Sequence, residues 1–142
     1  MIDKPSEYSF EDIEIGLKKN FSVNISELML DNFAKLCGDY NPLHTDENYA
    51  SKTPFKKRVC QGMLLASFFS RLVGMYLPGK RALYFSQSLN FKHPCFINDK
   101  ISVGGKVLDK SIATRIITLK TSIYNQDRKC LVDGLAKVIV RK

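Results

Sequence analysis

Few residues in this sequence can move a proton near neutral pH, since it contains only two histidines, His44 and His93. His44 follows Asp39 by five positions, across the turn-rich stretch Asp39-Tyr40-Asn41-Pro42-Leu43-His44. A carboxylate and an imidazole held on one such turn can both reach a single water molecule, which is what general acid–base chemistry requires. The same residues admit a plainer reading, in which Asp39 and Asn41 make Asx-turn hydrogen bonds and His44 merely packs. Spacing alone leaves both open. His93, in Phe91-Lys92-His93-Pro94, reads as a surface or strand-end histidine.

A second element of chemistry is Gly62, at the head of the apolar run GMLLASFFSRLVGMYL. The free N–H groups and partial positive charge of a helix N-terminus can stabilise an oxyanion. A glycine there also lets a ligand approach the backbone, although many glycines simply begin helices. Ser70, two turns further on, fits a core hydroxyl bonded to the carbonyl one turn back. The cysteines Cys37, Cys60, Cys95 and Cys130 form no C-x-x-C pair, and with two histidines they make no zinc set. They read as free thiols of a reducing compartment, and Cys60 has no evident base partner.

Phe21, Val23 and Ile25 alternate with polar residues, as in a half-buried strand. Ser26 can cap a helix whose apolar positions Met29, Phe33, Leu36 and Cys37 follow helical spacing and which Gly38 ends. The Asp39–His44 stretch is too rich in turn residues for a long helix, and Asp46 can cap a short helical turn after it. The run from Gly62 is apolar on nearly every face, which predicts a central helix enclosed by protein and stopped at Pro78-Gly79. Strands are expected at 84–91, 101–108, 114–124 and 130–140. In the last, Val132, Gly134, Ala136, Val138 and Val140 share one face, with Asp133 and Lys137 on the other. One helix followed by successive antiparallel strands implies an α+β domain with the sheet wrapped around the helix.

The chain has 142 residues, 44% hydrophobic and 25% charged, which suits one globular domain over 1–142 and excludes wholesale disorder. Its 22 Lys and Arg against 14 Asp and Glu leave a net charge of +8, so an anionic partner is expected. The basic residues cluster mildly, with Lys52, Lys56, Lys57 and Arg58 before the apolar run and Lys80 and Arg81 after it. No basic stretch is interleaved with exposed aromatics, so nucleic acid is not the expected partner. The polar N-terminus lacks signal-peptide character, and the run 63–77 is too short to span a membrane, so a cytoplasmic protein is expected.

Taken together, these residues resemble a known family. Gly38-Asp39-Tyr40-Asn41-Pro42-Leu43-His44-Thr45-Asp46, with Tyr49-Ala50 after it, is similar to the hydratase motif of the MaoC-like proteins. More narrowly it resembles the (R)-specific enoyl-CoA hydratases that feed polyhydroxyalkanoate synthesis or fatty-acid oxidation. Gly62-Met63-Leu64-Leu65-Ala66-Ser67 resembles the start of that family's central helix, and residues 84–91 with Pro94 and Asp99 the strand beyond it. The likeness runs from about Tyr8 to the C-terminus.

The resemblance implies the hot-dog fold, an antiparallel sheet around a long central helix, and a homodimer whose sheets join edge to edge. It implies reversible hydration of trans-2-enoyl thioesters, with Asp39 and His44 as the dyad, Gly62 as the oxyanion donor and Ser70 as a supporting hydroxyl. No metal or redox cofactor is implied; coenzyme A, or an acyl carrier protein, enters as part of the substrate. Asn41, Gln61, Lys56, Lys57, Arg58, Lys80 and Arg81 are then expected to border the substrate, the basic ones as handles for an anionic carrier. One departure stands out: relatives commonly carry His before the Gly-Met pair, where this chain has Gln61. Glutamine can exchange hydrogen bonds but cannot titrate near neutral pH. The rival readings are a hot-dog thioesterase and a non-catalytic acyl-binding subunit.

Overall fold

The computed structural model describes residues 3–142. Strand β1 (Lys18–Asn24) leads into helix α1 (Glu27–Cys37), whose first turn is capped by Ser26 Oγ accepting from the Met29 N–H at 3.2 Å. Gly38 ends α1 at φ 81°, a left-handed conformation that glycine adopts without steric cost, and its N–H closes on the Ala34 carbonyl. Two short helices follow, α2 (Pro42–Thr45) and α3 (Glu47–Ser51), and then helix α4 (Gly62–Arg71). The α4 axis continues through a wider π-helical turn, Leu72–Tyr76, in which the Leu77 N–H reaches back to the Leu72 carbonyl at 2.9 Å.

The remaining elements are β2 (Ala82–Gln87), β3 (Asn90–Phe91), β4 (Lys100–Ser111), β5 (Ile116–Tyr124) and β6 (Cys130–Val140). All pairings in the sheet are antiparallel, in the order β1-β4-β5-β6-β2, with β3 also paired to β6. Its inner face, including Val103, Leu119, Ala136 and Val138, is fully buried against the central helix. This is the hot-dog architecture expected of the sequence. One cluster gathers Leu65, Phe69 and Leu72 over Ile101, Val103 and Ile123; a second gathers Val73 and Leu77 over Val107, Ile117 and Leu119. No helix among the described residues is long and apolar enough to cross a membrane.

Two expectations need correction. The strand expected over 84–91 is broken, because the Ser88 carbonyl points straight onto Gly134, where a Cβ would lie 1.8 Å from the oxygen. The Ser88 hydroxyl then accepts from the Leu135 N–H in place of a regular ladder bond. The central helix, read as enclosed on nearly every side, is covered on only one: Met63, Ser67, Ser70 and Arg71 are exposed. The sheet wraps one side of the helix and nothing within the described chain covers the other.

Candidate active site

The loop between α1 and α2 is built by short-range hydrogen bonds. Asp39 Oδ1 accepts from the Asn41 N–H at 3.1 Å, and Asn41 Oδ1 accepts from the Leu43 N–H at 3.0 Å, capping α2. Thus the Asx-turn reading is present, but it accounts for only one oxygen of Asp39. Its other oxygen, Oδ2, lies 4.0 Å from His44 Nε2. The opposite ring nitrogen, His44 Nδ1, is 2.7 Å from the Val59 carbonyl. A carbonyl can only accept, so Nδ1 carries the proton in the neutral ring and Nε2 presents a lone pair toward Asp39. His44 is mostly buried and Asp39 about half exposed, so the pair sits where a sheltered space meets solvent.

That space is a cavity of about 450 Å³, lined among others by His44, Phe55, Gly62, Met63, Phe91 and Leu131. The volume and apolar lining suit a small acyl group. At its wall α4 begins with no side-chain cap. Leu64 and Leu65 are the first residues whose N–H groups reach a carbonyl of this turn, that of Gln61, so the Gly62 and Met63 N–H groups have no intrahelical acceptor. A Cβ on Gly62 would lie 2.8 Å from the Phe91 ring, so glycine at this position also makes room for an aromatic wall.

The other expected site residues are not all brought here. Gln61 is 2% exposed and turned into the core, its Nε2 donating to the Leu30 carbonyl at 3.0 Å while Oε1 has no partner among the described residues. Ser70 is exposed on the uncovered side of α4; the hydroxyl bonded one turn back is that of Ser67, to Leu64. Lys56 and Lys57 are exposed just beyond Phe55, with Lys57 Nζ 4.5 Å from the centre of the Phe96 ring. Arg58, expected among the solvent-facing handles, is instead buried, bonded to Glu27, Asp31 and the His44 carbonyl. Lys80 and Arg81 pair with Glu7 beyond the far end of the central helix, roughly 20 Å of helical rise from Gly62.

Several wall residues were given no role from the sequence, and His93, read as a surface or strand-end histidine, is one that borders the cavity. Phe55, Met63 and Phe91 supply apolar surface, and Lys92 and His93 stand at the same cavity. Lys92 Nζ is 3.1 Å from Asp133, a bond that raises its pKa, and His93 Nδ1 meets the Cys130 carbonyl at 2.9 Å. Their signal was the break after Phe91, which ends the strand beside the head of α4. Cys60 and Cys95 face the cavity from neighbouring backbone, the Cys60 N–H donating to the Cys95 carbonyl at 2.8 Å. Interaction with the Cys60 side chain, then burial, pushes the Cys95 thiol well above its ordinary value. Among the described residues, no group of three His, Cys, Asp or Glu side chains gathers as a metal site.

The structure thus has an apolar cavity with a carboxylate–imidazole pair at its edge and free N–H groups at its wall, carried on the helix-wrapping sheet of a hot-dog fold. Residues 11–126 match the MaoC like domain, and the chain belongs to that family. It is 39% identical over 130 residues to an (R)-specific enoyl-CoA hydratase of Aeromonas caviae, covering 92% of this chain and 97% of that one. It is 37% identical over 133 residues to a 3-hydroxybutyryl-CoA dehydratase of Methylorubrum extorquens, covering 94% and 84% of the two chains. Among solved structures, the unliganded R-hydratase PhaJ1 of Pseudomonas aeruginosa superposes with a TM-score of 0.94 at 32% identity, over 99% of this chain and 90% of that one.

Proposed function

We propose that this protein is an (R)-specific enoyl-CoA hydratase, a hydro-lyase adding water reversibly to trans-2-enoyl thioesters to give (R)-3-hydroxyacyl thioesters. The observation that carries the reading is the 4.0 Å separation of Asp39 Oδ2 and His44 Nε2 beside the uncapped start of α4. Two acceptors at that distance can both hold one water oxygen at about 2.8 Å, with its lone pair turned to the substrate. The water oxygen bonds to C3 as the dyad takes one of its protons. The C2=C3 electron pair moves toward the thioester oxygen, where the Gly62 N–H stabilises the charge. The dyad then returns a proton to C2, so that one water has been added. Losing an oxyanion donor of this kind costs about 3 kcal/mol of transition-state stabilisation.

Several features belong to the same proposal. The acyl chain lies against Phe55, Met63 and Phe91, and the anionic carrier meets Lys56, Lys57 and Lys92 at the cavity side. A second copy of the chain covers the exposed side of α4 and extends the sheet at β2, where Leu83 and Phe85 stand exposed. Ser70 then faces the partner, as a support rather than a member of the dyad. The chemistry draws on no metal or redox group. Gln61, turned away into the core, lends no support to a purely binding role.

With crotonyl-CoA, loss of enoyl absorbance follows hydration. Asp39→Asn and His44→Ala should each lower kcat by about 100-fold or more while circular dichroism stays that of the folded protein. Near-wild-type rates in both variants, or release of free thiol by the wild type, would remove the assignment. The same assay with the acyl carrier protein thioester distinguishes the carrier.

A further inference from the structure

Arg58 is the one basic residue of the loop before α4 that the structure buries, at 4% exposure, and nothing in hydration calls for a cation there. Its hydrogen bonds say what it does instead. Nε donates to the His44 carbonyl at 2.7 Å, Nη1 to Glu27 Oε1 at 3.0 Å and Nη2 to Asp31 Oδ1 at 2.5 Å. Glu27 and Asp31 lie one turn apart on α1, the helix that delivers Asp39 through Gly38. The next residue, Val59, continues the strap: its N–H donates to the Leu43 carbonyl at 3.1 Å, and its carbonyl accepts from His44 Nδ1 at 2.7 Å. Arg58 and Val59 therefore hold His44 by its own carbonyl, by the preceding carbonyl and by its ring.

We propose that Arg58 is a positioning residue, which ties α1 to the His44 segment and so fixes the spacing and ring orientation of the Asp39–His44 pair. The inference rests on the hydratase reading and replaces the expectation that Arg58 is a handle for an anionic carrier. The planar guanidinium suits the task because its fork places donors in three fixed directions, two to carboxylates and one to the carbonyl. An ammonium has no such fixed fork, so lysine can keep the charge against Glu27 and Asp31 without holding the His44 carbonyl in the same place. Small displacements matter at such a pair, since an error of about 1 Å can cost about 100-fold in rate.

The variant that tests this is Arg58→Lys, with Arg58→Met beside it. With crotonyl-CoA, Arg58→Lys is expected to lower kcat by about 10- to 100-fold while KM stays within about twofold of wild type. The ¹⁵N resonances of the His44 ring, read by NMR, should lose their single Nδ1–H pattern in both variants. Unchanged kcat in folded Arg58→Lys would overturn the proposal, and a raised KM beside it would be the signature of a carrier handle. An unaltered His44 ring spectrum would overturn it as well, whatever the thermal stability. Should Arg58→Met fail to fold, Arg58→Lys and the ring spectrum still decide. Because the ring signal is read without substrate, it stands apart from the hydratase assignment: a wild type inactive on enoyl thioesters would sink that reading and leave the ring test intact.

Discussion

Asp39 and His44 each commit one polar atom to the fold and keep a second for the proposed chemistry. Asp39 commits Oδ1 to the Asn41 N–H, and His44 commits Nδ1 to the Val59 carbonyl, so Oδ2 and Nε2 are turned toward each other. The two readings left open by the sequence are therefore both present in one turn, on different atoms. Gly62 shows the same doubling, being at once the first residue of α4 and the space into which Phe91 packs. Adding a methyl group there should press on the half-exposed ring, which can give way, and so destabilise the protein by about 1 kcal/mol at most, the low end of the cost of overpacking. Urea unfolding would measure it, and Gly62→Ala combined with Phe91→Ala should recover most of the loss, because the two changes share one contact.

At the scale of elements, the site depends on how cleanly short helices begin. Helix α2 has only one turn and carries His44 on it, so its cap is also the mount of the imidazole. Removing that cap with Asn41→Ala should cost about 0.5–2 kcal/mol of stability. It should also lower kcat, because the freed turn no longer holds His44 against Asp39; equal rates in the two proteins would separate the cap from the site. Asn41 thus acts on the dyad from its own turn. These local features were legible in the sequence, as were Ser26 and Gly38 at the ends of α1, because a cap or turn is written in neighbouring residues. Arg58 was not legible. Its partners Glu27 and Asp31 stand about thirty positions earlier, and an arginine beside two lysines looks the same whether it is buried or solvated. The break in the strand at Ser88 was hidden for a similar reason, since its cause is a glycine across the sheet.

For the whole molecule, the surplus of positive charge has a distribution that composition could not show. Arg58, Lys80, Arg81, Lys92 and Arg115 are paired with carboxylates. By contrast Lys18, Lys106 and Lys120 stand directly opposite one another on β1, β4 and β5, and among the described residues none of them forms an ion pair. They occupy the outer face of the sheet, on the side away from the central helix, and like charges so placed repel. Lys106→Thr should therefore stabilise the protein by about 0.2–1 kcal/mol per relieved contact, a gain that shrinks as salt is added. A urea midpoint unchanged at low ionic strength would contradict this. The helix-and-sheet plan was clear from the order of apolar segments, but which side of the central helix lies open was not. A run that is apolar all round reports that something covers it, not whether the cover is its own sheet.

The placement of the thiols makes the protein a gauge of its own occupancy. Cys37 is exposed at the end of α1, whereas Cys60 and Cys95 are buried and border the same cavity as His44 and Gly62. An alkylating reagent meets Cys37 in open solvent, whereas the other two stand buried at the cavity wall. Cys37 then serves as the internal clock of a labelling experiment, and the slower modification of Cys60 becomes a footprint of whatever sits inside, while Cys95, held as the thiol, reacts least.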